Sequence, residues 1–222
     1  EKRMSKVETY TQLHLHTTYS MLDGVGKAKD YAQRCAELGM QACAITDHGT
    51  MAGLFEFYTE MTKVGVKPIL GNEMYCVEDM HRRGLTDAEK DGLTPTEIRE
   101  KNKMRLRSPH LLLLAENDIG LRNLFRLNYY ANTEGYYGKP RIDLDLLEKY
   151  SEGIIATTTC VISNMARYLQ AKQTDKMTSF FDRLLGIFGE DNLFIELHPH
   201  DLDIQKDYNV ALIELFRKKY EN

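Results

Sequence analysis

Two histidines separated by one residue are the first feature of the sequence with chemical potential. His14 and His16 lie in the run Tyr10–Thr17, whose alternating pattern predicts a β-strand. Side chains two residues apart share one face of a strand, so the two residues lie about 6.5–7 Å apart along the backbone. This spacing suits two imidazoles that reach toward one metal ion or a metal cluster. By itself, the H-x-H pattern is weak, and two ordinary strand histidines explain it better than a metal site does.

Polar side chains also follow the next two predicted strands. Asp47 and His48 come directly after the apolar run Ala42–Thr46, and Glu73 lies near the end of the predicted strand Lys67–Val77. In α/β folds, functional groups gather at the carboxyl ends of strands, so these side chains are candidate ligands. The alternative is that Asp47 caps the following helix and His48 is solvated.

Three further residues have types that bind metals. Asp23 precedes a glycine and therefore also fits a simple turn. Cys160 follows the predicted strand Gly153–Thr159 and is either an inert core thiol or a metal-facing thiolate. His110 directly precedes the predicted strand Leu111–Ala115. In a simple parallel barrel the functional site lies at the other ends of the strands, so this position speaks against His110 as a ligand.

Taken together, these residue types predict a metal centre. Imidazole, carboxylate and thiol suit Zn²⁺, or Mn²⁺ and Fe²⁺ where oxygen ligands dominate. More than four ligands imply a multinuclear centre, and such centres hydrolyse phosphoesters through a metal-activated water.

The elements that must position these residues alternate between strand and helix. Six strands are predicted: the five ranges given above and a last strand over Leu193–Leu197. The helical patterns cover residues 27–38, 51–64, 121–130, 175–188 and 205–219. This alternation predicts an α/β fold with a mostly parallel sheet, either open or closed into a barrel.

The charged stretch 78–108 interrupts this rhythm and is predicted to be a surface insertion. Within it, Thr94-Pro95-Thr96-Glu97 has the pattern of a capping box and predicts a short helix. Its cations either contact phosphate groups or are simply solvated. They are Lys101, Lys103, Arg105 and Arg107.

Composition excludes several classes of protein. The 222 residues carry 29 Lys and Arg against 33 Asp and Glu, which gives a net charge of −4 and disfavours a strong non-specific binder of nucleic acids. No apolar run approaches the roughly 18–20 residues of a membrane helix, and the first residues do not form a secretory signal. The four cysteines show no C-x-x-C spacing, so we expect neither a disulfide framework nor a zinc ribbon. This cysteine usage is typical of a protein in the reducing cytoplasm.

Beyond these patterns, the chain resembles the N-terminal PHP (polymerase and histidinol phosphatase) domain of the alpha subunit of bacterial DNA polymerase III. The resemblance covers residues 11–220. Its segments are His14–Thr17, Tyr19–Gly24, Ile45–Gly49, Gly65–Glu73, Leu121–Leu124, Lys139–Asp143 and Phe194–Leu197.

The resemblance implies one PHP domain over residues 1–222, folded as a distorted seven-stranded TIM-like β/α barrel with up to three metal ions. The implied metal ligands are His14, His16, Asp23, His48, Glu73, His110 and Cys160. Asp47 is then the candidate catalytic residue, acting as an orienter of the histidines. The family's last two ligands come from an Asp-x-His strand that we expect after position 222. His198 and His200 match no family ligand.

The resemblance leaves three functions open. The first is a metal-dependent phosphoesterase, acting as a 3′→5′ proofreading exonuclease on a DNA 3′ end or single strand, or cleaving pyrophosphate. The second is a non-catalytic module that stabilises the polymerase and docks other replisome subunits, with metals as staples. The third is a free-standing enzyme like histidinol phosphatase. Polymerisation of DNA would need the rest of the polymerase alpha subunit. We expect no membrane partner.

Overall fold

A computed structural model describes residues 10–106 and 108–220, without the side chains of residues 103–106 and 220. The chain divides into two compact units, one ending at Glu73 and the other beginning at Met74. Over the described residues, every helix is too short or too polar to cross a membrane.

The first unit is a parallel strand pair with two helices. Helix α1 (Ala28–Glu37) precedes strand β1 (Ala42–Ile45), and helix α2 (Leu54–Lys63) precedes strand β2 (Lys67–Cys76). The two strands run parallel, with Ala42 opposite Lys67 and Ile45 opposite Leu70. Both helices bury an apolar stripe, as their helical periodicity predicts.

The predicted strand Tyr10–Thr17 is wrong as a regular strand. Gln12 forms one isolated parallel bridge with Cys43, and Leu15 accepts a hydrogen bond from the Thr46 backbone. The Leu15 N–H donates to the Thr46 hydroxyl at 2.8 Å. Because that side chain takes the place of a backbone partner, the ladder is interrupted although the segment still follows β1.

The second unit contains the end of β2 and the remaining elements. These are α3 (Asp87–Lys90), α4 (Pro95–Leu106), β3 (His110–Ala115), α5 (Asp118–Thr133), β4 (Arg141–Ile142), α6 (Leu144–Lys149), β5 (Ile154–Thr157), α7 (Asn164–Gln170), α8 (Thr174–Phe188), β6 (Leu193–Phe194) and α9 (Asp203–Tyr220). The α/β class is therefore confirmed. The sequence patterns do not predict strand β4 or helices α3, α6 and α7.

The sheet in the second unit is mixed, because two of the pairings described here are parallel, as expected, and one is antiparallel. Strand β4 is parallel to β2 and β6 is parallel to β5, but β3 and β5 are antiparallel, with Leu112 opposite Thr157. Both β3 and β5 are continuous apolar runs, and such runs carry no signal of strand direction. Closure into a seven-stranded barrel stays a prediction.

The predicted capping box is confirmed. The Thr94 backbone and hydroxyl donate to Glu97 at 2.8 and 2.7 Å, and α4 begins at Pro95. Of the cations predicted in this stretch, Arg107 and the side chains of Lys103 and Arg105 lie outside the described residues.

Two helical glycines give a matched test of packing in the second unit. A Cβ on Gly120 of α5 would lie 1.7 Å from the Gly153 carbonyl oxygen, whereas a Cβ on Gly186 of α8 would meet no atom within 4 Å. We expect Gly120→Ala to lower the free energy of unfolding by at least about 2–3 kcal/mol, because the backbone must shift. Gly186→Ala should raise it by about 0.5–1 kcal/mol. Urea unfolding of both variants measures the difference, and equal unfolding midpoints would contradict this packing.

Candidate metal centre

The polar cluster of the first unit is organised around one buried carboxylate. Glu73 is 0 % exposed and lies in β2. Its Oε1 is 3.2 Å from His14 Nε2, and its Oε2 is 3.5 Å from His16 Nε2 and 2.6 Å from His48 Nδ1. Three imidazoles therefore surround a single carboxylate.

Backbone pairing beyond β1 brings His48 and Glu73 together. The two residues form a parallel bridge, the Glu73 N–H donates to the Asp47 carbonyl at 3.2 Å, and the Gly49 N–H donates to the Glu73 carbonyl at 2.9 Å. Gly49 has a φ of 60°, which its lack of a Cβ permits. The chain can thus turn away immediately after presenting His48.

Asp23 contributes a second, more exposed carboxylate. Its Oδ2 is 2.7 Å from His48 Nε2 and 3.9 Å from His16 Nε2, and its side chain is 56 % exposed. The preceding Leu22 has a φ of 69°, and a Cβ on Gly24 would lie 1.8 Å from the Thr17 carbonyl oxygen. The turn is therefore shaped by Gly24 to bring Asp23 over the histidines.

The donor atoms form two overlapping groups. Within each group, one ligand atom from each residue lies within 4.8 Å of the others. The first group is His14, His16 and Glu73, and the second is His16, Asp23 and His48. The His16 and His48 rings stack with centroids 4.1 Å apart, and the His14 ring meets His16 edge-on at 5.0 Å. Nitrogen and oxygen donors this close together fit a divalent cation, and because His16 faces both carboxylates through the same Nε2, the two groups are overlapping parts of one ligand set.

The electrostatics of the two central imidazoles differ. Burial lowers the pKa of His16, assisted by the neighbouring His48 and His14 and opposed by Glu73 and Asp23. Burial also acts to lower the pKa of His48, but hydrogen bonds and attraction from Glu73 and Asp23 outweigh it and raise that pKa. His16 is thus held in the neutral form that binds metals, and among the described residues its buried Nδ1 has no hydrogen-bond partner.

Asp47 holds the loop that carries these ligands. Its Oδ1 accepts from the Thr17 N–H at 2.7 Å and from the Ser20 hydroxyl at 2.6 Å, and its Oδ2 accepts from the Thr17 hydroxyl at 2.7 Å. The Ser20 oxygen in turn accepts from the His48 N–H at 3.1 Å. Asp47 is buried, so it positions His16 and His48 through their neighbours. Sequence reasoning missed Thr17 and Ser20, because an isolated hydroxyl has no distinctive spacing.

His110 and Cys160 lie in the second unit. Because β3 is antiparallel to β5, the start of β3 lies beside the end of β5, and the His110 N–H donates to the Ile162 carbonyl at 3.2 Å. This direction removes the objection that His110 sits at the wrong end of its strand. Its ring also meets Tyr75 edge-on at 5.2 Å. Cys160 is partly exposed in the segment that follows β5.

The two later histidines also lie in the second unit. His198 Nε2 is 2.7 Å from Glu196 Oε1, and Glu196 also contacts the Thr157 hydroxyl. His200 is exposed and accepts from the Leu202 N–H at 3.2 Å. Glu196 lies in the family segment Phe194–Leu197, but it is not among the candidate site residues predicted from the sequence.

Several known proteins are similar to nearly the whole of this chain. DNA polymerase III subunit alpha of Aquifex aeolicus is 36 % identical over 96 % of this chain and 17 % of its own length. The same subunit of Saccharopolyspora erythraea is 37 % identical over 96 % of this chain and 18 % of its own length. The chain thus spans less than a fifth of the length of these relatives.

Among solved structures, an amidohydrolase from Chromobacterium violaceum has a TM-score of 0.52 at 14 % sequence identity. The match covers 92 % of this chain and 83 % of that one, whose structure was solved with bound sulfate and no metal. At this identity the likeness concerns the fold alone. The PHP domain model matches residues 12–200, and the chain therefore belongs to the PHP domain family.

Proposed function

We propose that the chain is the PHP domain of a bacterial replicative polymerase alpha subunit and that its first-unit cluster hydrolyses phosphodiester bonds with divalent metals. The observation that carries this proposal is the buried Glu73 carboxylate, surrounded by three imidazoles. A carboxylate and neutral imidazoles in this arrangement are a ready set of metal ligands.

Metal ions bound there would lower the pKa of a water molecule and hold the phosphate oxygens. The protein's own contribution is to position the donors. Glu73 supplies both oxygens to different imidazoles, and the low pKa of His16 keeps a lone pair available at neutral pH. Asp23, at the exposed edge of the cluster, is the donor closest to solvent and therefore to an entering substrate.

The resemblance extends this proposal in several directions. His110 and Cys160 are proposed as further ligands, which allows up to three ions of Zn²⁺, Mn²⁺ or Fe²⁺. The proposed substrate is a DNA 3′ end, cleaved as in 3′→5′ proofreading, within a cytoplasmic replisome. A complete seven-stranded barrel belongs to the same proposal. All of these rest on the family pattern and not on the geometry of the first unit.

A second candidate function is a metal-stapled structural module. Glu73 ties its own strand to two other segments, one with His14 and His16 and one with His48, so a bound ion would cross-link them. Such a module would bind metal and gain stability from it without hydrolysing any phosphoester.

Asp23→Asn separates the two functions. Because the Asp23 side chain is largely exposed and, among the described residues, forms ion pairs with His16 and His48 alone, we expect little change in thermal stability without metal. Release of the 3′ nucleotide from a labelled oligonucleotide with Mn²⁺ should fall at least about 100-fold, because one ligand loses its charge. Asp30→Asn, an exposed change in α1, is the control. Metal binding by the wild-type protein without any nucleotide release would favour the structural module instead.

A further inference from the structure

The second unit contains a cavity of about 550 Å³ whose lining includes none of the candidate metal ligands. It lies among the segment 77–84, helix α4, the region around β4, and helix α7. Three kinds of side chain line it: the guanidinium groups of Arg82, Arg141 and Arg167, the carboxylates of Glu78 and Asp79, and the rings of Tyr137 and Tyr168. A volume within the range of about 300–1,000 Å³ is typical of sites for small molecules.

Arg141 is the most unusual member of this lining. It is 5 % exposed, yet its guanidinium donates only to backbone carbonyls, those of Gly135 at 2.9 Å, Met80 at 2.8 Å and Arg82 at 3.0 Å. Over the described part of the chain, no carboxylate lies within 4.0 Å of it. A buried cation is costly without an anionic partner, and the Nη1 group of Arg141, which donates to none of these carbonyls, is suited to donate to a phosphate.

The charges near Arg141 increase the need for an anion. Burial lowers the pKa of Arg141, and repulsion from Arg83 acts in the same direction, with Asp79 opposing. Arg83 itself donates to the carbonyls of Met80 and Glu134. Arg82 is neutralised by an ion pair with Glu89, which leaves the Arg141 charge to be balanced from within the cavity.

Each of the two carboxylates of the cavity accepts one hydrogen bond and keeps further acceptor capacity. Glu78 accepts from the Tyr168 hydroxyl at 3.2 Å, and Asp79 accepts from the His81 N–H at 2.8 Å. The cavity therefore presents both cationic and anionic groups. This combination fits a ligand that carries both a phosphate group and N–H donors. The rings of Tyr137 and Tyr168 add flat apolar surfaces to the lining.

We propose that this cavity binds a nucleoside phosphate, with the phosphate at Arg141 and the base near Tyr168 and Glu78. The proposal does not depend on the metal centre, because the phosphate is held by arginine and not by a metal. The alternative is that Arg141 has only a structural role, in which its hydrogen bonds join Met80 and Arg82 to Gly135. In that case the cavity would not bind a nucleoside phosphate.

Isothermal titration calorimetry of the chain in EDTA tests the proposal, with dAMP, deoxyadenosine and inorganic phosphate as probes. EDTA removes metals, so binding through the candidate metal centre does not contribute. We expect dAMP to bind at least about tenfold more tightly than either fragment, because it contacts both the cationic and the anionic groups of the cavity. No detectable binding of dAMP at millimolar concentration would overturn the proposal.

Variants locate the binding site. Arg141→Gln should abolish binding, but it also removes three hydrogen bonds and can unfold the protein. Gln173→Glu is the milder test, because Gln173 is an exposed residue of the cavity lining at the start of α8. Its added charge should weaken dAMP binding about three- to tenfold while deoxyadenosine binding stays unchanged. Gln41→Glu, an exposed change in the first unit, is the matched control, and equal effects of the two substitutions would place the ligand elsewhere.

Discussion

Replacing Glu73 with glutamine should abolish tight metal binding by this protein. The substitution keeps the size of the side chain but removes the negative charge that His14, His16 and His48 share. Changes to residues that only support metal ligands cost about 10–100-fold in metal affinity, so loss of this central carboxylate should cost at least about 100-fold. Titration with Mn²⁺ or Zn²⁺, followed calorimetrically, measures the change.

Glu37→Gln provides the matched control for that experiment. Glu37 ends α1, is half exposed and pairs with Arg34, so the same chemical change there should leave metal affinity unaltered. Far-UV circular dichroism of both variants reports whether the fold is retained. If Glu73→Gln folded normally and bound metal as tightly as the wild-type protein, the cluster would not be the metal site.

Replacing Asp47 with alanine should cause the largest loss of stability in the first unit. Three buried donors, the Thr17 N–H and the hydroxyls of Thr17 and Ser20, would lose their acceptor. Each unsatisfied buried donor costs about 1–3 kcal/mol, so we expect the free energy of unfolding to fall by at least about 3 kcal/mol. Urea unfolding in EDTA measures this loss without any contribution from metal.

Two further variants define the role of Asp47. Asp47→Asn keeps one carbonyl acceptor, so it should be intermediate in stability and weaken metal affinity about 10-fold or more by loosening His16 and His48. Asp30→Ala removes a carboxylate from the first turn of α1 and should cost no more than about 1 kcal/mol. Equal costs for Asp47→Ala and Asp30→Ala would show that the Asp47 hydrogen bonds do not hold the loop.

Most residues of the first-unit cluster could be predicted from the sequence, because the geometry of parallel strands brings their ends together. His48 and Glu73 follow or lie within parallel strands, and neighbouring parallel strands present their carboxyl ends at one edge. The structure brings His14, His16, Asp23, His48 and Glu73 together as that rule predicts. Their role as ligands stays a prediction until metal is measured.

Other features had no local signal. The antiparallel direction of β3 depends on partners about 40 residues away, and the uniformly apolar run Leu111–Leu114 fits either direction. Strand β4 has only two residues and helix α6 only six, so neither contains two full periods of its hydrophobic pattern. Helix α4, by contrast, was predictable because its capping box is entirely local.

The measurement that tests the central claim most directly is metal content by inductively coupled plasma mass spectrometry on protein purified without chelators. It should be made on the wild-type protein and on Glu73→Gln in parallel. Our account predicts at least about one equivalent of Zn, Mn or Fe per wild-type chain, bound by the first-unit cluster, and almost none in the variant. Wild-type protein that remained metal-free after incubation with these ions, or equal metal content in both proteins, would contradict it.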